Sequence, residues 1–381
     1  MFLIFRIIVI TLAGLLTAVV AGFFVLPYYA TAPSEKPSII VEHTEPQVEP
    51  AEATPPKPTE TTDTTSAPAQ GGNDEQKIKE ALEIITKTLA EPVAYTPSSL
   101  NFNSLNDTAR EATVNILCSS KSGGVLNSIS GSGVFIDPTG VILTNSHVAQ
   151  YFLLKNYPSP GFLNCIVRTG SPAYPTYTAE LLFLPPSWIN ANAKKIIDDT
   201  PTGNGEHDYA LLRVTGTINP DAELPSAFPY LPLLFKEVTK GEPVLLAGYP
   251  AGFLGGILIA KDLYAVSSVA TIGEVYTYDA TTVDIFSVGG SVVAQQGSSG
   301  GAVVGQNGNL VGLIVTSTIT PDTSSRDLHA VATSYIARDF EHERGISLAT
   351  FLSQNLEEAA QSFAVTTAPT LAQALITVLS Q

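Results

Sequence analysis

From about residue 110 to residue 336 the chain repeats one pattern: short apolar, β-branched runs broken by turn residues. Ala112–Cys118, Gly131–Ile136, Val141–Thr144, Phe162–Arg168, Tyr177–Phe183 and His207–Val214 are such runs. So are Pro243–Ala247, Ser267–Gly273, Thr282–Val288, Ala302–Val304, Leu310–Thr318 and Leu328–Thr333. Asp137-Pro138-Thr139-Gly140 is a turn by composition. Regular short strands with turn signals between them predict an all-β barrel fold. A Pro-rich stretch, residues 216–240, separates the two sets, and residues 186–206 read as an excursion within the first.

The N-terminal third is different. Residues 1–30 contain one charge, Arg6, and the apolar run is long enough to cross a bilayer as a helix. A cleaved signal peptide would have a shorter apolar core, and after Ala30-Thr31-Ala32 the cut would fall before Pro33. An uncleaved anchor is expected, with Arg6 on the cytoplasmic side and the rest outside, in the periplasm or at the cell surface. Residues 31–72 are rich in Pro, Thr and Glu and nearly free of large apolar side chains, so they read as a disordered linker. Residues 73–90 read as an amphipathic helix, with Ile78, Ala81, Leu82, Ile85 and Leu89 on one face.

The net charge of −16, without a Lys/Arg cluster, excludes nucleic acid as a natural partner. Two cysteines, Cys118 and Cys165, are too few for a cysteine-based zinc site, and no cofactor or metal is expected. Outside the cytoplasm these two thiols could pair, or stay buried and free.

The chemistry concentrates at residues 295–303, Gln-Gln-Gly-Ser-Ser-Gly-Gly-Ala-Val. Such a stretch is a poor helix and a poor strand, and a good sharp turn whose N–H groups can converge on one point. Ser299 would stand exposed as a nucleophile, and the N–H groups of Gly297 and Ser299 would stabilise an oxyanion. A Ser/Gly-rich turn without function is common, so partners upstream decide. His147 ends a strand among small polar residues, Thr144-Asn145-Ser146-His147-Val148. Asp208 opens an apolar strand, where an unpaired carboxylate would be costly. The other histidines, His43, His207, His329 and His342, read as structural.

Thr-Asn-Ser-His-Val after Gly-Ser-Gly-Val-Phe-Ile, then Asp-Tyr-Ala-Leu-Leu-Arg-Val, then Gly-Ser-Ser-Gly-Gly-Ala-Val resemble the trypsin-like serine peptidases. The likeness is closest to the HtrA/Deg branch and extends through Leu246–Gly252, covering roughly residues 108–340. It implies two six-stranded antiparallel barrels, about 108–215 and 240–336, within a protease domain at 91–345. It also implies a His147–Asp208–Ser299 triad in the cleft between them. Ser298 stands where digestive enzymes of the family carry the Asp that binds a freed N-terminus, which implies no activation of that kind. Val293, six residues before Ser299, would floor the primary specificity pocket, with Val315, Thr316 and Ser317 along a wall. An apolar floor implies cleavage after small or aliphatic residues.

Residues 346–381 read as a helical extension packed on the second barrel. Too few residues follow Arg344 for the PDZ domain that branch often carries. The trimeric assembly of that branch is not carried over, and oligomerisation stays open. The expected function is a membrane-anchored, extracytoplasmic serine endopeptidase acting on proteins or peptides. The alternative is a catalytically silent pseudoprotease, the same fold used as a binding or scaffold module.

Overall fold

The computed structural model describes residues 102–121, 128–198, 202–252, 256–278, 281–317 and 327–381. The expected transmembrane segment 1–30, linker 31–72 and helix 73–90 lie outside the described residues. The chain divides into two compact units, Met1–Pro92 and Val93–Gln381, and all described residues belong to the second.

Six strands close into an antiparallel barrel: β1 (Thr113–Ser120), β2 (Ile129–Phe135), β3 (Val141–Thr144), β4 (Leu163–Thr169), β5 (Tyr174–Phe183) and β6 (Ala210–Thr217). Their order is β1-β2-β3-β6-β5-β4. Closure removes both sheet edges, and the strands are buried on both faces: Val114, Ile116 and Ile142 converge on one, and Val134, Leu143 and Leu211 lie on the other, all fully buried. The β2–β3 turn works as its composition predicts. The Thr139 N–H donates to Asp137 Oδ1 at 2.7 Å, and Gly140 takes φ +93°. Cys118 and Cys165 sit directly opposite each other on β1 and β4 and are joined by a disulfide.

The second β unit differs from the expected six-stranded barrel. Seven strands form one antiparallel sheet in the order β8-β7-β11-β12-β13-β10-β9. They are β7 (Pro243–Gly248), β8 (Val266–Thr271), β9 (Val275–Tyr276), β10 (Ile285–Ser287), β11 (Ala302–Val304), β12 (Leu310–Ser317) and β13 (Leu328–Ala332). The reason is a bend at Ile272–Glu274. The Ile272 N–H donates to Glu242 O beside β7, whereas the Gly273 N–H donates to Ser287 O of β10. One continuous stretch therefore serves both ends of the sheet as two short strands. Gly273 permits this approach, since a Cβ there would meet Ser287 Oγ at 2.5 Å.

Helices pack around this frame. α1 (Phe102–Ala112) buries Leu105, Ala109 and Ala112. α2 (Ser146–Ala149) is one turn at the end of β3. The excursion at 186–206 contains α3 (Pro186–Asn192), started by proline at its first turn, and a 3-10 turn at Ala193–Ile197. α4 (Gly256–Lys261) lies between β7 and β8. Four helices close the chain: α5 (Thr333–Arg344), α6 (Leu348–Leu352), α7 (Leu356–Thr366) and α8 (Ala368–Leu379). No single described helix is long and apolar enough to cross a membrane.

The expectation that the C-terminal helices cover the second barrel is corrected. α5 packs on β12 and β13, but α7 packs on β5 of the first barrel, and α8 on α3, on the 3-10 turn at Ala193–Ile197 and on a second 3-10 turn at Gln150–Leu154 that follows α2. Aromatic residues drive this choice: Phe183 of β5 meets Phe340 of α5 at 4.8 Å and Phe363 of α7 at 6.4 Å, ring centre to ring centre. The tail thus straps both β units. Phe363→Ala should cost about 3–4 kcal/mol through loss of this buried ring, and lower Tm by about 10 °C in thermal unfolding of the full chain. An unchanged Tm would mean that the strap contributes nothing to stability.

Candidate active site

Strand pairing brings the first two candidate residues together. β3 and β6 pair so that Thr144 faces Ala210. Three residues beyond Thr144 is His147; two before Ala210 is Asp208. His147 Nδ1 lies 2.7 Å from Asp208 Oδ2, and the His147 backbone N–H donates to Asp208 Oδ1 at 3.0 Å. Both carboxylate oxygens are engaged, which is what a buried Asp needs. Asp208 sits in the loop just ahead of β6 rather than within the strand.

Two small polar residues before His147 fix this loop. Asn145 Nδ2 donates to Asp208 O at 2.8 Å, and Ser146 Oγ donates to Tyr209 O at 2.7 Å. With Nδ1 donating to Asp208, the Nε2 of neutral His147 is left as an acceptor. Burial alone would lower the His147 pKa; the charge and hydrogen bond of Asp208 outweigh it, and the net shift is upward from 6.5. The side chain stays one-third exposed, at 33%.

Ser299 lies in the glycine loop between β10 and β11. Gly297 has φ +92°, and a Cβ there would stand 2.7 Å from Tyr249 O. Gly300 has φ +85°, and a Cβ there would collide with the Ser132 carbonyl and with Thr144 Oγ1. The loop is therefore pressed against Thr144, three residues from His147. Ser299 Oγ makes a long hydrogen bond of 3.5 Å to Val315 O; among the described residues it makes none to His147.

The backbone of this loop is oriented from outside. The Gln296 carbonyl accepts from the Ala251 N–H at 2.7 Å. In a trans peptide the N–H points opposite to the C=O, so the Gly297 N–H faces away from Ala251. Neither this N–H nor that of Ser299 donates a hydrogen bond among the described residues. Ser298 is fully buried, and its Oγ has no partner among them.

One residue that sequence reasoning did not single out holds the assembly. Ser132 of β2 donates its N–H to Ser299 O at 2.7 Å and its Oγ to Gly297 O at 2.8 Å. The same Oγ accepts from the Tyr249 N–H at 2.9 Å, and Ser132 O accepts from Thr144 Oγ1 at 2.7 Å. The signal was its place in Gly131-Ser132-Gly133, where flanking glycines leave room for a close neighbour.

Of the four residues assigned to specificity, Val293 is fully buried before the loop and Val315 is buried in β12. Thr316 and Ser317 follow in β12, their side chains outside the described residues. Val315 also abuts Gly205, where a Cβ would lie 3.2 Å from its Cγ1. Among the described residues no group of acidic, His and Cys side chains could hold a metal ion.

Residues 131–313 match the model of the trypsin-like peptidase domain. Among solved structures the chain is similar to a protease of M. tuberculosis in its active form, at 19% identity and TM-score 0.39, covering 66% of this chain and 88% of that one. It is also similar to a serine endoprotease from Yersinia pestis, at 21% identity and TM-score 0.39, covering 63% and 65%. No curated protein matches.

Ser132→Ala should leave the Gly297 carbonyl and the Tyr249 N–H buried without their partner. The expected cost is about 2–4 kcal/mol in urea unfolding. A loss below about 0.5 kcal/mol would show that the loop does not depend on this hydroxyl.

Proposed function

We propose how this chain, a serine-type endopeptidase by its trypsin-like peptidase domain, cleaves its substrates: by acyl transfer through His147, Asp208 and Ser299. The observation that carries this reading is the 2.7 Å His147–Asp208 pair beside a glycine loop with two N–H groups that donate to no partner among the described residues. Ser299 Oγ turns from the Val315 carbonyl toward His147 Nε2 and attacks the scissile carbonyl while Nε2 takes its proton. Asp208 holds the imidazole in the required tautomer and stabilises its cation. The N–H groups of Gly297 and Ser299 receive the developing oxyanion, each contributing about 3 kcal/mol. The proton then passes from His147 to the leaving amine, and water repeats the sequence on the acyl-enzyme.

Val293 and Val315, both apolar and buried, favour a small or aliphatic residue before the scissile bond. Residues 1–30 anchor the chain in the membrane and 31–72 tether the protease outside the cytoplasm; their composition supports this. The His147–Asp208 pair gives no support to the catalytically silent alternative.

A fluorophosphonate probe should label the full-length protein and fail to label Ser299→Ala. A folded wild type that resists the probe would move the reading to a silent binding module. Because His147 must be neutral to act as base and its pKa is raised above 6.5, kcat/KM should fall tenfold per pH unit below a midpoint above that value. Asp208→Asn should lower kcat by about 10³- to 10⁴-fold. Digestion of a peptide library should give cuts after Ala, Val and similar residues; dominant cleavage after Lys or Arg would refute the pocket assignment.

A further inference from the structure

His207 is the non-glycine residue with a positive φ, 55°, among the described residues. Histidine tolerates that region better than most residues, but it is still held there at a cost of order 1 kcal/mol. Four partners hold it. Its N–H donates to Tyr335 Oη at 3.2 Å, and its carbonyl accepts from the Tyr209 N–H at 2.9 Å and from Ser146 Oγ at 3.2 Å. Its Nδ1 lies 2.9 Å from both carboxylate oxygens of Asp339. Asp339 is buried, and both it and Tyr335 sit on α5, more than a hundred residues away in the chain.

The residue after this outlier is Asp208. We propose that His207 and Asp339 are a positioning pair for the active site: α5 clasps the His207 ring, fixes the left-handed turn, and so aims the Asp208 carboxylate at His147. The proposal rests on the reading of His147 and Asp208 as catalytic. Neither member of the pair touches the reacting atoms. If the clasp opens, His207 can relax to negative φ and carry Asp208 away from His147. Asn145 on the Asp208 carbonyl and Ser146 on the His207 carbonyl would remain, and neither fixes the carboxylate.

The clasp is ionic when His207 is protonated. The hydrogen bond that Nδ1 donates to Asp339 raises the His207 pKa; burial opposes it, and the charges of Asp339, Glu206 and Glu343 add to the rise. Glu206 is 3.9 Å from Nε2, on the same loop. Tyr335 of α5 and Tyr209 beside Asp339 are the remaining titratable groups facing the pair, and burial keeps both neutral. A raised pKa means that the ionic part of the clasp is complete below 6.5 and weakens as pH rises through the His207 value.

The test uses two variants of the full chain. Asp339→Asn keeps the side-chain shape and removes the charge. His207→Asn removes the ring, and asparagine tolerates the left-handed conformation. In each, kcat should fall about 10- to 100-fold while KM changes less than about twofold. The acid limb of kcat/KM should move to lower pH, because a misaimed Asp208 raises the His147 pKa less. Proton NMR titration of the His147 imidazole should show the same downward shift without turnover. If both variants fold and keep the wild-type kcat, acid limb and His147 titration, the pair is only structural and the proposal fails, whatever their Tm. Should wild type show no turnover, the catalytic reading falls, and the NMR titration still decides whether the clasp aims Asp208.

Discussion

Ser132 is the point at which the two β units agree on where Ser299 stands. Its four hydrogen bonds join β2, the end of β3, the end of β7 and the glycine loop. Each is buried, so each is worth more broken than made: an orphaned carbonyl or N–H there costs about 1–3 kcal/mol, against about 1 kcal/mol for a bond formed. A loop of glycines has little stiffness of its own. Gly297 and Gly300 reach their conformations because they lack a Cβ, and they keep them because Ser132 and Ala251 take the carbonyls of Gly297, Ser299 and Gln296. The softness of the sequence and the rigidity of the site are reconciled outside the loop.

The same division of labour recurs at Asp208. Its carboxylate is met by the ring and the N–H of His147, its carbonyl by Asn145, and the preceding residue by α5. Short-range pairing of β3 with β6 delivers the residues to one place. Contacts over long sequence separation then set their orientation. α5 is well suited to this because it follows β13 directly and packs on the second sheet, while α7 and α8 pass to the first barrel. Phe183, between Phe340 and Phe363, is where that crossing is anchored.

What the sequence made legible follows from this split. The runs around Val141–Thr144 and Ala302–Val304 match their strands residue for residue, because turn residues bound them on both sides. Asp208 stood out because an unpaired carboxylate at the head of an apolar strand would be costly, and His147 and Ser299 because their local sequences, in this order along the chain, supply the partners such a carboxylate would serve. The break of β8 from β9 was not legible, since the bend at Ile272–Glu274 is imposed by partners on two different strands. Nor was the destination of α7 and α8: their apolar faces fit any apolar surface, and only the ring of Phe183, far away in sequence, selects the first barrel. Ser132 and His207 were hidden for the same reason. A serine between glycines and a histidine before an aspartate carry no periodicity, and the partners that give them their roles, Gly297 and Asp339, are more than a hundred residues distant.

Ser298 shows how the loop is held without a charge at this position. It is fully buried, and a carboxylate there would demand a cation. Its hydroxyl has no partner among the described residues, so side-chain bonding at this position does not orient the loop. The orienting contacts are instead the Ala251 N–H on Gln296 and the Ser132 N–H and hydroxyl on Ser299 and Gly297, all in place in the folded chain. A loop held by these neutral partners keeps its conformation without a charged group at position 298. Its state then depends on the position of the segment that carries Ala251, between β7 and α4, and on β2.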